Sequence, residues 1–411
     1  MNQYVICKMH GAIFSFLLEN GRAVEIHCDS EGSESILGNI YTGRIRDISG
    51  TIGAAFIEIA PKKICYIPIN ELDQAIYTKK GASSKPQQGD ELLVQVSREA
   101  IKTKYPSVTT NLTLHGKYIL LTIGKKQVSA SAKLNREEKQ RLIGLIKEIE
   151  AENKWQTPGA RAFGWLIRTN ADGAARDTLL KDMNRLYTLY CSLVTDGKHR
   201  VCCSCLFSGP HTWISRLSDL YEQAADQFIT DDKNIWEDAR EYLSLYQPED
   251  LSKLMLLHDD MQPLYKRYSL EKQLEDAIND RVWLKSGGYL VIQYTEALTV
   301  IDVNTGKFEG SVKNRQKAFF KINKEAALEA ARQIRLRNMS GIILIDFINM
   351  ESKEDEEELL QNLDEELRRD PIRTTLVDMT KLSLVEITRM KKERPLKEQI
   401  SLLTEDHKAG S

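Results

Sequence analysis

Two short segments late in the chain, joined by a helical stretch, restrict the fold more than anything else in the sequence. Leu298–Asn304 (LTVIDVN) alternates apolar with polar residues, and Ile342–Ile348 (IILIDFI) is an apolar run interrupted by one aspartate. Tyr289–Tyr294 reads as a further strand just before them. Asn323 is placed to cap a helix running to about Arg337, and Gly341 follows as a stop signal. Strand, helix, strand at this spacing predicts a βαβ unit with parallel strands and a right-handed crossover. Alternation puts Asp302 and Asn304 on one face. Parallel strands would then bring Asp302 and Asp346 to the same C-terminal sheet edge, where ligands collect in α/β folds. Two carboxylates with an amide oxygen beside them suit Mg²⁺ or Mn²⁺, which take oxygen ligands and keep several waters. Such an ion activates water and neutralises a scissile phosphate. The alternative is that each aspartate only caps a loop at a strand end, and spacing alone does not separate the two.

Nearer the N-terminus the pattern is all strand. Ile40–Ile48, Ala54–Ile59, Ile64–Ile69, Glu91–Ser97 and Ser107–Leu114 are five short candidates at a spacing that suits a small OB-type barrel. Ala55, Ile57 and Ile59 share a buried face, so Phe56 points outward with Glu58. Tyr66 likewise opposes Cys65 and Ile67, and Arg44 and Arg46 flank Ile45. Outward aromatics with arginines make a stacking platform for single-stranded nucleic acid, to which Lys102 and Lys104 would add charge. The alternative is that both aromatics pack under a neighbouring domain. The whole chain carries a formal net charge of -2, which predicts no bulk attraction to a polyanion. Residues 36–118 nevertheless hold 11 Lys/Arg against 7 Asp/Glu.

Residues 1–35 read as strands with a turn at Glu19-Asn20-Gly21-Arg22. Arg136–Ala151 and Ala174–Tyr190 read as helices, 198–213 as a cysteine-rich strand region and 214–280 as alternating helix and strand. Glu351–Asp370 is acidic with Leu359, Leu360, Leu363 and Leu367 at helical spacing, the pattern of a solvated amphipathic helix. Arg168-Thr169 could hold a terminal phosphate, although a surface arginine is the commoner meaning of such a pair. Cys202, Cys203 and Cys205, with His199 and His211 nearby, lack the paired C-x₂₋₄-C spacing of a structural zinc site, and zinc is not expected. The 7 irregularly spaced cysteines suggest reduced thiols in a cytoplasmic protein. No stretch approaches the ~20 apolar residues of a membrane span. No phosphate-binding G-x-x-x-x-G-K-[ST] loop or G-x-S-x-G elbow is present, which argues against a P-loop nucleotidase and an α/β-hydrolase.

Taken together, several segments resemble the ribonuclease E/G family. These are GNIYTGRIRDISGTIGAAFIEI (38–59), LIRTNADG (166–173), PLYKRYSLEKQLEDAINDRVWLKSGGYLVIQYTEALTVIDVNTGKF (263–308), EAARQIRLRNMSGIILIDFINM (329–350) and MTKLSLVEITR (379–389). The resemblance implies an α+β multidomain fold. A ribonuclease H-like layer would combine 1–35 with 214–277. Inserted in it would be an OB-fold RNA-binding barrel (36–118) and a 5′-end sensor (119–213). A DNase I-like α/β catalytic domain (278–400) and a tail (401–411) would follow. It also implies a Mg²⁺-dependent endoribonuclease that cuts single-stranded RNA to 5′-phosphate and 3′-hydroxyl ends in RNA processing or decay. The alternative is a non-catalytic RNA-binding protein of the same fold. Carried over by the resemblance, Asp302 and Asp346 would hold the metal and Asn304 would orient Asp302 or the phosphate. Phe56, Tyr66, Lys104 and Arg44 would grip RNA. Arg168, Thr169 and Val128 would sense a 5′-monophosphate, and Arg373 would contact RNA near the cut. The chain departs from the family pattern in three places. No cysteine follows Cys205, so a monomer or a metal-free dimer is expected. Tyr105-Pro106 stands where the family tends to have glycine. Gln127-Val128-Ser129-Ala130 replaces a stretch that carries arginine.

Overall fold

The chain opens as a three-stranded meander, β1 (Asn2–Met9), β2 (Ala12–Glu19) and β3 (Arg22–Ser30). The turn expected at Asn20-Gly21 is present, and His10-Gly11 makes a second. All four residues have positive φ (His10 51°, Gly11 74°, Asn20 51°, Gly21 79°), the backbone that two-residue hairpin turns require. The computed structural model describes every residue except 31–35, 99–104, 125, 159–160, 210, 220–224, 258–261, 307–311, 381 and 410–411. It divides into two compact units, one of residues 1–33, 223–241 and 249–411, the other of 34–222 and 242–248.

The second unit begins with β4 (Ile40–Ser49), β5 (Ala54–Ala60), β6 (Lys63–Pro68), β7 (Tyr77–Lys79), β8 (Glu91–Arg98) and β9 (Ser107–Thr109). Strands pair in the order β4-β5-β6-β9-β8, and β8 pairs back onto β4, closing a five-stranded barrel around Ile45, Ile57, Ile67, Val94 and Val108. Strand β7 extends β8 outside the ring. The expected single strand over Ser107–Leu114 divides into β9 and β10 (Thr113–His115), which lie in different sheets. The cause is tertiary. The Glu71 carboxylate accepts from Thr109 Oγ1 (2.6 Å) and Thr110 N (3.1 Å) and breaks the run there. Strand β10 joins β11 (Ile119–Ile123), β12 (Val128–Ala130) and β13 (Phe163–Ile167) in the order β10-β11-β13-β12. This sheet shares a core with α1 (Arg136–Asn153) and α2 (Arg176–His199) through Leu142, Ile146, Trp165, Met183 and Leu186. Helix α2 outruns its expected end at Tyr190 because the apolar spacing continues through buried Leu193 and Val194. It therefore consumes the start of the supposed cysteine-rich strand region, in which only β14 (Cys205–Phe207) is strand among the described residues. Helix α3 (Thr212–Asp219) follows.

Returning to the first unit, β15 (Gln227–Thr230) and β16 (Leu254–Leu256), with α4 (Lys233–Tyr246) between them in sequence, complete the opening sheet as β16-β15-β1-β2-β3, with β1, β15 and β16 parallel. Helices α5 (Leu264–Arg267) and α6 (Leu270–Ile278) lead into the last sheet. That sheet is built from β17 (Arg281–Trp283), β18 (Tyr289–Tyr294), β19 (Leu298–Asn304), β20 (Gly341–Asp346), β21 (Thr374–Met379) and β22 (Leu384–Arg389) in the order β17-β18-β19-β20-β22-β21. The pair β19–β20 is parallel, joined by α7 (Val312–Leu336) as the βαβ pattern predicts, and its neighbours are antiparallel. Leu290, Ile292, Ile301, Val303, Ile343, Ile345, Val385 and Ile387 form the covered face. It packs with α7 through Ala326, Ala330 and Ile334, and with α8 (Lys353–Leu367) through Leu359 and Leu363. Helix α8 is the expected amphipathic acidic helix, capped by Ser352, whose Oγ accepts from Asp355 N. Helix α9 (Leu396–Ala409) runs through the segment read as a tail and buries Leu396 and Leu403.

The strand end at Arg389 is locked by a buried ion pair. Arg389 donates from Nε to Asp370 Oδ2 (2.7 Å) and from Nη1 to Asn338 Oδ1 (2.7 Å) and Met339 O (2.8 Å). Removing one partner would strand the other's charge in the interior. Arg389→Met is therefore expected to destabilise the first unit by about 3–5 kcal/mol. In urea this reads as a lower midpoint, and Arg389→Met with Asp370→Asn should recover part of the loss. An unchanged midpoint in the single variant would refute the assignment.

Candidate active site

The covered face of the last sheet leaves its other face open, and alternation decides what stands there. In β19 the buried residues Thr299, Ile301 and Val303 alternate with exposed Asp302 and half-buried Asn304. In β20 Ile343 and Ile345 are buried and Asp346 is exposed. The parallel register pairs Asp302 directly with Asp346, so the two carboxylates stand side by side on strands about 5 Å apart. Asn304 Nδ2 donates to Asp302 Oδ2 at 2.7 Å, which holds that carboxylate in place. The three side chains thus share one face at one end of the β19–β20 pair, the placement that alternation and parallel pairing predict.

Two tertiary contacts support this edge. Asn323, read as a helix cap, lies in the middle of α7 and is fully buried. Its Nδ2 donates to Ile348 O (2.7 Å) and its Oδ1 accepts from Ile348 N (3.1 Å), clasping the chain just after Asp346. On the other side, the hairpin between β17 and β18 lies against the chain leaving Asn304. A Cβ on Gly288 would come within 2.8 Å of Asn304 O, and one on Gly306, at φ +66°, within 2.3 Å of Gly287 O. The Glu325 carboxylate accepts from Lys285 N (2.6 Å) and Ser286 N (3.0 Å) and ties this hairpin to α7. The Ser-Gly-Gly run was the available signal, because adjacent glycines mark close backbone approach.

On the barrel, Phe56 and Tyr66 are direct cross-strand partners and both half-buried, on the face opposite Ile57, Cys65 and Ile67. Tyr105, noted in the sequence only as a departure, joins them. Its ring meets Phe56 edge-on at 5.6 Å and is 56% exposed, so the cluster holds three aromatics. Arg44 is not an idle cation, since its Nη2 donates to Glu91 Oε1 at 2.9 Å, and Arg46 pairs with Glu58 at 2.5 Å. Each arginine faces a glutamate on a neighbouring strand, which single-strand alternation does not reveal. Lys104 lies outside the described residues, as does Lys102.

Near the end of β13, Arg168 Nη1 donates to Gly116 O (2.9 Å) and Thr169 Oγ1 shares a hydrogen bond with Ser131 Oγ (2.9 Å). Val128 does not reach this point. The parallel register pairs it with Trp165 and Ala130 with Ile167, so Ser131, beyond β12, is the residue that meets Thr169. Arg373 is also apart from the carboxylates. It precedes β21, whose Thr374 pairs with Arg389, itself opposite Gly341 at the far end of β20 from Asp346. Five residues of strand separate the two levels, on the order of 17 Å. Cys202 and Cys203 occupy a turn before β14, where strand alternation does not apply, and their sulfurs are 3.5 Å apart. Burial, then the hydrogen bond with Cys203, pushes the Cys202 thiol up to about 12. Among the described residues no three His, Cys, Asp or Glu side chains are grouped to hold a metal ion.

Comparison with known proteins bears on the whole arrangement. A model of the ribonuclease E/G family matches residues 113–392, which takes in Arg168, Thr169 and the sheet with Asp302 and Asp346. The chain is 32% identical over 384 residues to ribonuclease G of Salmonella typhimurium (strain SL1344), covering 90% of this chain and 76% of that protein. Ribonuclease G of Haemophilus influenzae is 30% identical over 92% of this chain and 77% of its own length. Ribonuclease E of Nostoc sp. is 32% identical over 86% of this chain, which spans about half (51%) of that protein.

The Asn323 clasp makes a direct prediction. Asn323→Ala leaves both Ile348 backbone groups without this partner and should cost about 2–4 kcal/mol, since an unsatisfied buried group costs ~1–3 kcal/mol. Hydrogen exchange should speed up at the Ile348 amide well before global unfolding. Equal protection in the variant and the parent would show that the clasp does not hold the edge.

Proposed function

The chain belongs to the ribonuclease E/G family, and we propose that it is a metal-dependent endoribonuclease. It would cut single-stranded RNA to leave 5′-phosphate and 3′-hydroxyl ends, as a monomer or metal-free dimer in the cytoplasm. The observation that carries this reading is the in-register pair of exposed carboxylates, Asp302 and Asp346, with Asn304 bonded to the first. Simple RNA binding gains nothing from paired carboxylates facing a polyanion.

The donor set fits Mg²⁺, with Mn²⁺ as a chemically similar substitute. Both acidic ligands are hard oxygens open to solvent, and no third His, Cys, Asp or Glu joins them among the described residues. Mg²⁺ is commonly held by one or two carboxylates and otherwise keeps its waters. Bound there, it would supply an activated water and offset the charge of the phosphate. Asn304 holds the Asp302 carboxylate by its hydrogen bond and would keep it oriented for the ion, and the Asn323 clasp would keep the chain after Asp346 from drifting. Hydrolysis adds the water oxygen to phosphorus and breaks the bond to the 3′ oxygen, which leaves with a proton.

The other elements divide the remaining work. Phe56 and Tyr66, with Tyr105, would stack unpaired bases. Arg44 would reach a phosphate by exchanging its Glu91 partner. Arg168 and Thr169 would bind a 5′-monophosphate, with Ser131 rather than Val128 supplying the neighbouring hydroxyl. The order β16-β15-β1-β2-β3, with three parallel strands, supports reading the opening sheet as a ribonuclease H-like layer. The last sheet would be the DNase I-like domain. No helix among the described residues is long and apolar enough to cross a membrane.

End-labelled single-stranded RNA tests the reading. With Mg²⁺ the chain should cut internally and leave 5′-phosphates, and EDTA should stop it. Asp302→Asn or Asp346→Asn should lower turnover by roughly 10²-fold or more, about 2.7 kcal/mol of barrier, with little change in RNA affinity. Cleavage at the parental rate by either variant would remove the carboxylates from the mechanism. On the barrel, Phe56→Ala and Tyr66→Ala should each weaken RNA binding by about 1–3 kcal/mol in a titration. Unchanged affinity in both would relegate the aromatics to packing.

A further inference from the structure

The open face of the last sheet carries a second cluster beside the carboxylates. Strand β17 has Val282 in the core, which turns Arg281 and Trp283 to the open side, where Trp283 is 63% exposed. Trp283 is the cross-strand partner of Tyr289, and their rings lie 5.1 Å apart. The Arg281 guanidinium sits over Tyr289 at 4.5 Å and near Trp283 at 5.7 Å. Tyr289 in turn pairs with Asn304, and the next outward residue, Val291, pairs with Asp302. The register therefore runs across one face from Trp283 through Tyr289 to Asn304. Tyr289 stands about 5 Å and Trp283 about 10 Å in strand spacing from the strand that carries Asp302.

We propose that Trp283 and Tyr289 form a stacking platform for an unpaired base of the RNA substrate next to the scissile phosphate, with Arg281 contacting that nucleotide. The proposal rests on the endoribonuclease reading and adds a specificity-determining site to it. An exposed indole beside a second ring and a cation is a face on which an occupant can stack. The neighbouring carboxylates and the cation select which one. Arg281 has no carboxylate partner among the described residues, so its charge is available to a phosphate or to a base face. A chain whose phosphate lies over Asp302 and Asp346 has its adjacent nucleotide within reach of these rings. Every base offers a π-face, so the platform would favour unstacked RNA over duplex without selecting one base strongly. That would supply a single-strand preference at the site of cleavage itself, separate from the barrel.

The test uses the full chain, Mg²⁺ and an RNA oligonucleotide with one mapped cleavage site. The same oligonucleotide is also made with an abasic nucleotide at each position flanking the cut. Trp283→Ala should lower kcat/KM on the intact oligonucleotide by roughly 5- to 140-fold, the range for loss of one stacked base. Trp283→Phe should keep most of the activity. One abasic position should cost the parent enzyme a similar factor and cost Trp283→Ala almost nothing further, because the two changes remove the same contact. The proposal is overturned if Trp283→Ala cleaves like the parent. It is also overturned if abasic losses are the same in both proteins, although the endoribonuclease reading survives since RNA is still cut. Dissociation of a dimer by Trp283→Ala with cleavage intact, seen by sedimentation, would reassign the patch to a second copy of the chain and overturn the proposal. Absence of any cleavage by the parent chain would remove the platform together with the reading beneath it.

Discussion

Asp302 and Asp346 face each other across two parallel strands in register, and like charges placed directly opposite in a sheet repel. The last sheet is arranged around that unfavourable contact. Its covered face invests in apolar packing, with alanines at 326, 327, 330 and 331 letting α7 approach closely. Its other face leaves the carboxylates in water, where solvation limits the repulsion. Asn304 spends an amide hydrogen on Asp302, and Asn323 pins the chain beyond Asp346. In the proposed reading, Asp302 and Asp346 would hold a divalent cation, whose positive charge would offset the repulsion.

How much of this was legible follows from which residues report on local geometry. Period-two alternation is local, so the outward placement of Asp302, Asn304, Phe56 and Tyr66 could be read directly, and the βαβ spacing was enough to bring Asp302 and Asp346 to one sheet edge, though not to set their direct register. Tertiary interactions were not legible. Ser107–Leu114 has the composition of one strand, and the groups that bond where it divides, the Glu71 carboxylate and Arg161, are far away in sequence. Asn323 carries the chemistry of a cap, but an asparagine buried in mid-helix satisfies the same hydrogen-bonding need with another segment's backbone. Val128 and Arg373 came from likeness to a family rather than from register, and register separates both from the groups they were assigned to. Trp283 and Tyr289 both lie within residues 263–308. Their meaning depends on a three-strand alignment that no single segment encodes.

The barrel shows a comparable gap between composition and available charge. Residues 36–118 are basic in sum, yet Arg44 and Arg46 are each matched by a glutamate on a neighbouring strand. A phosphate that engages either arginine must compete with a carboxylate already in place. In the proposed reading such competition would weaken phosphate binding and give the aromatics a larger share of the affinity, favouring unpaired strands over a duplex of equal charge.

The order in which the opening sheet is assembled has a consequence for synthesis. Strand β1 pairs with β2 at once, but its other edge waits for β15, with Gln3 opposite Gln227. At a ribosomal rate of about 5–20 residues per second, roughly 10–45 s pass before that partner emerges. During that interval the barrel unit, nearly contiguous in sequence, has time to form. The N-terminal hairpins meanwhile present an unpaired strand edge built around Val5, Ile6 and Cys7. Such an edge invites pairing with other nascent chains, so this polypeptide should depend on a chaperone, or on slow dilute expression, more than its composition suggests.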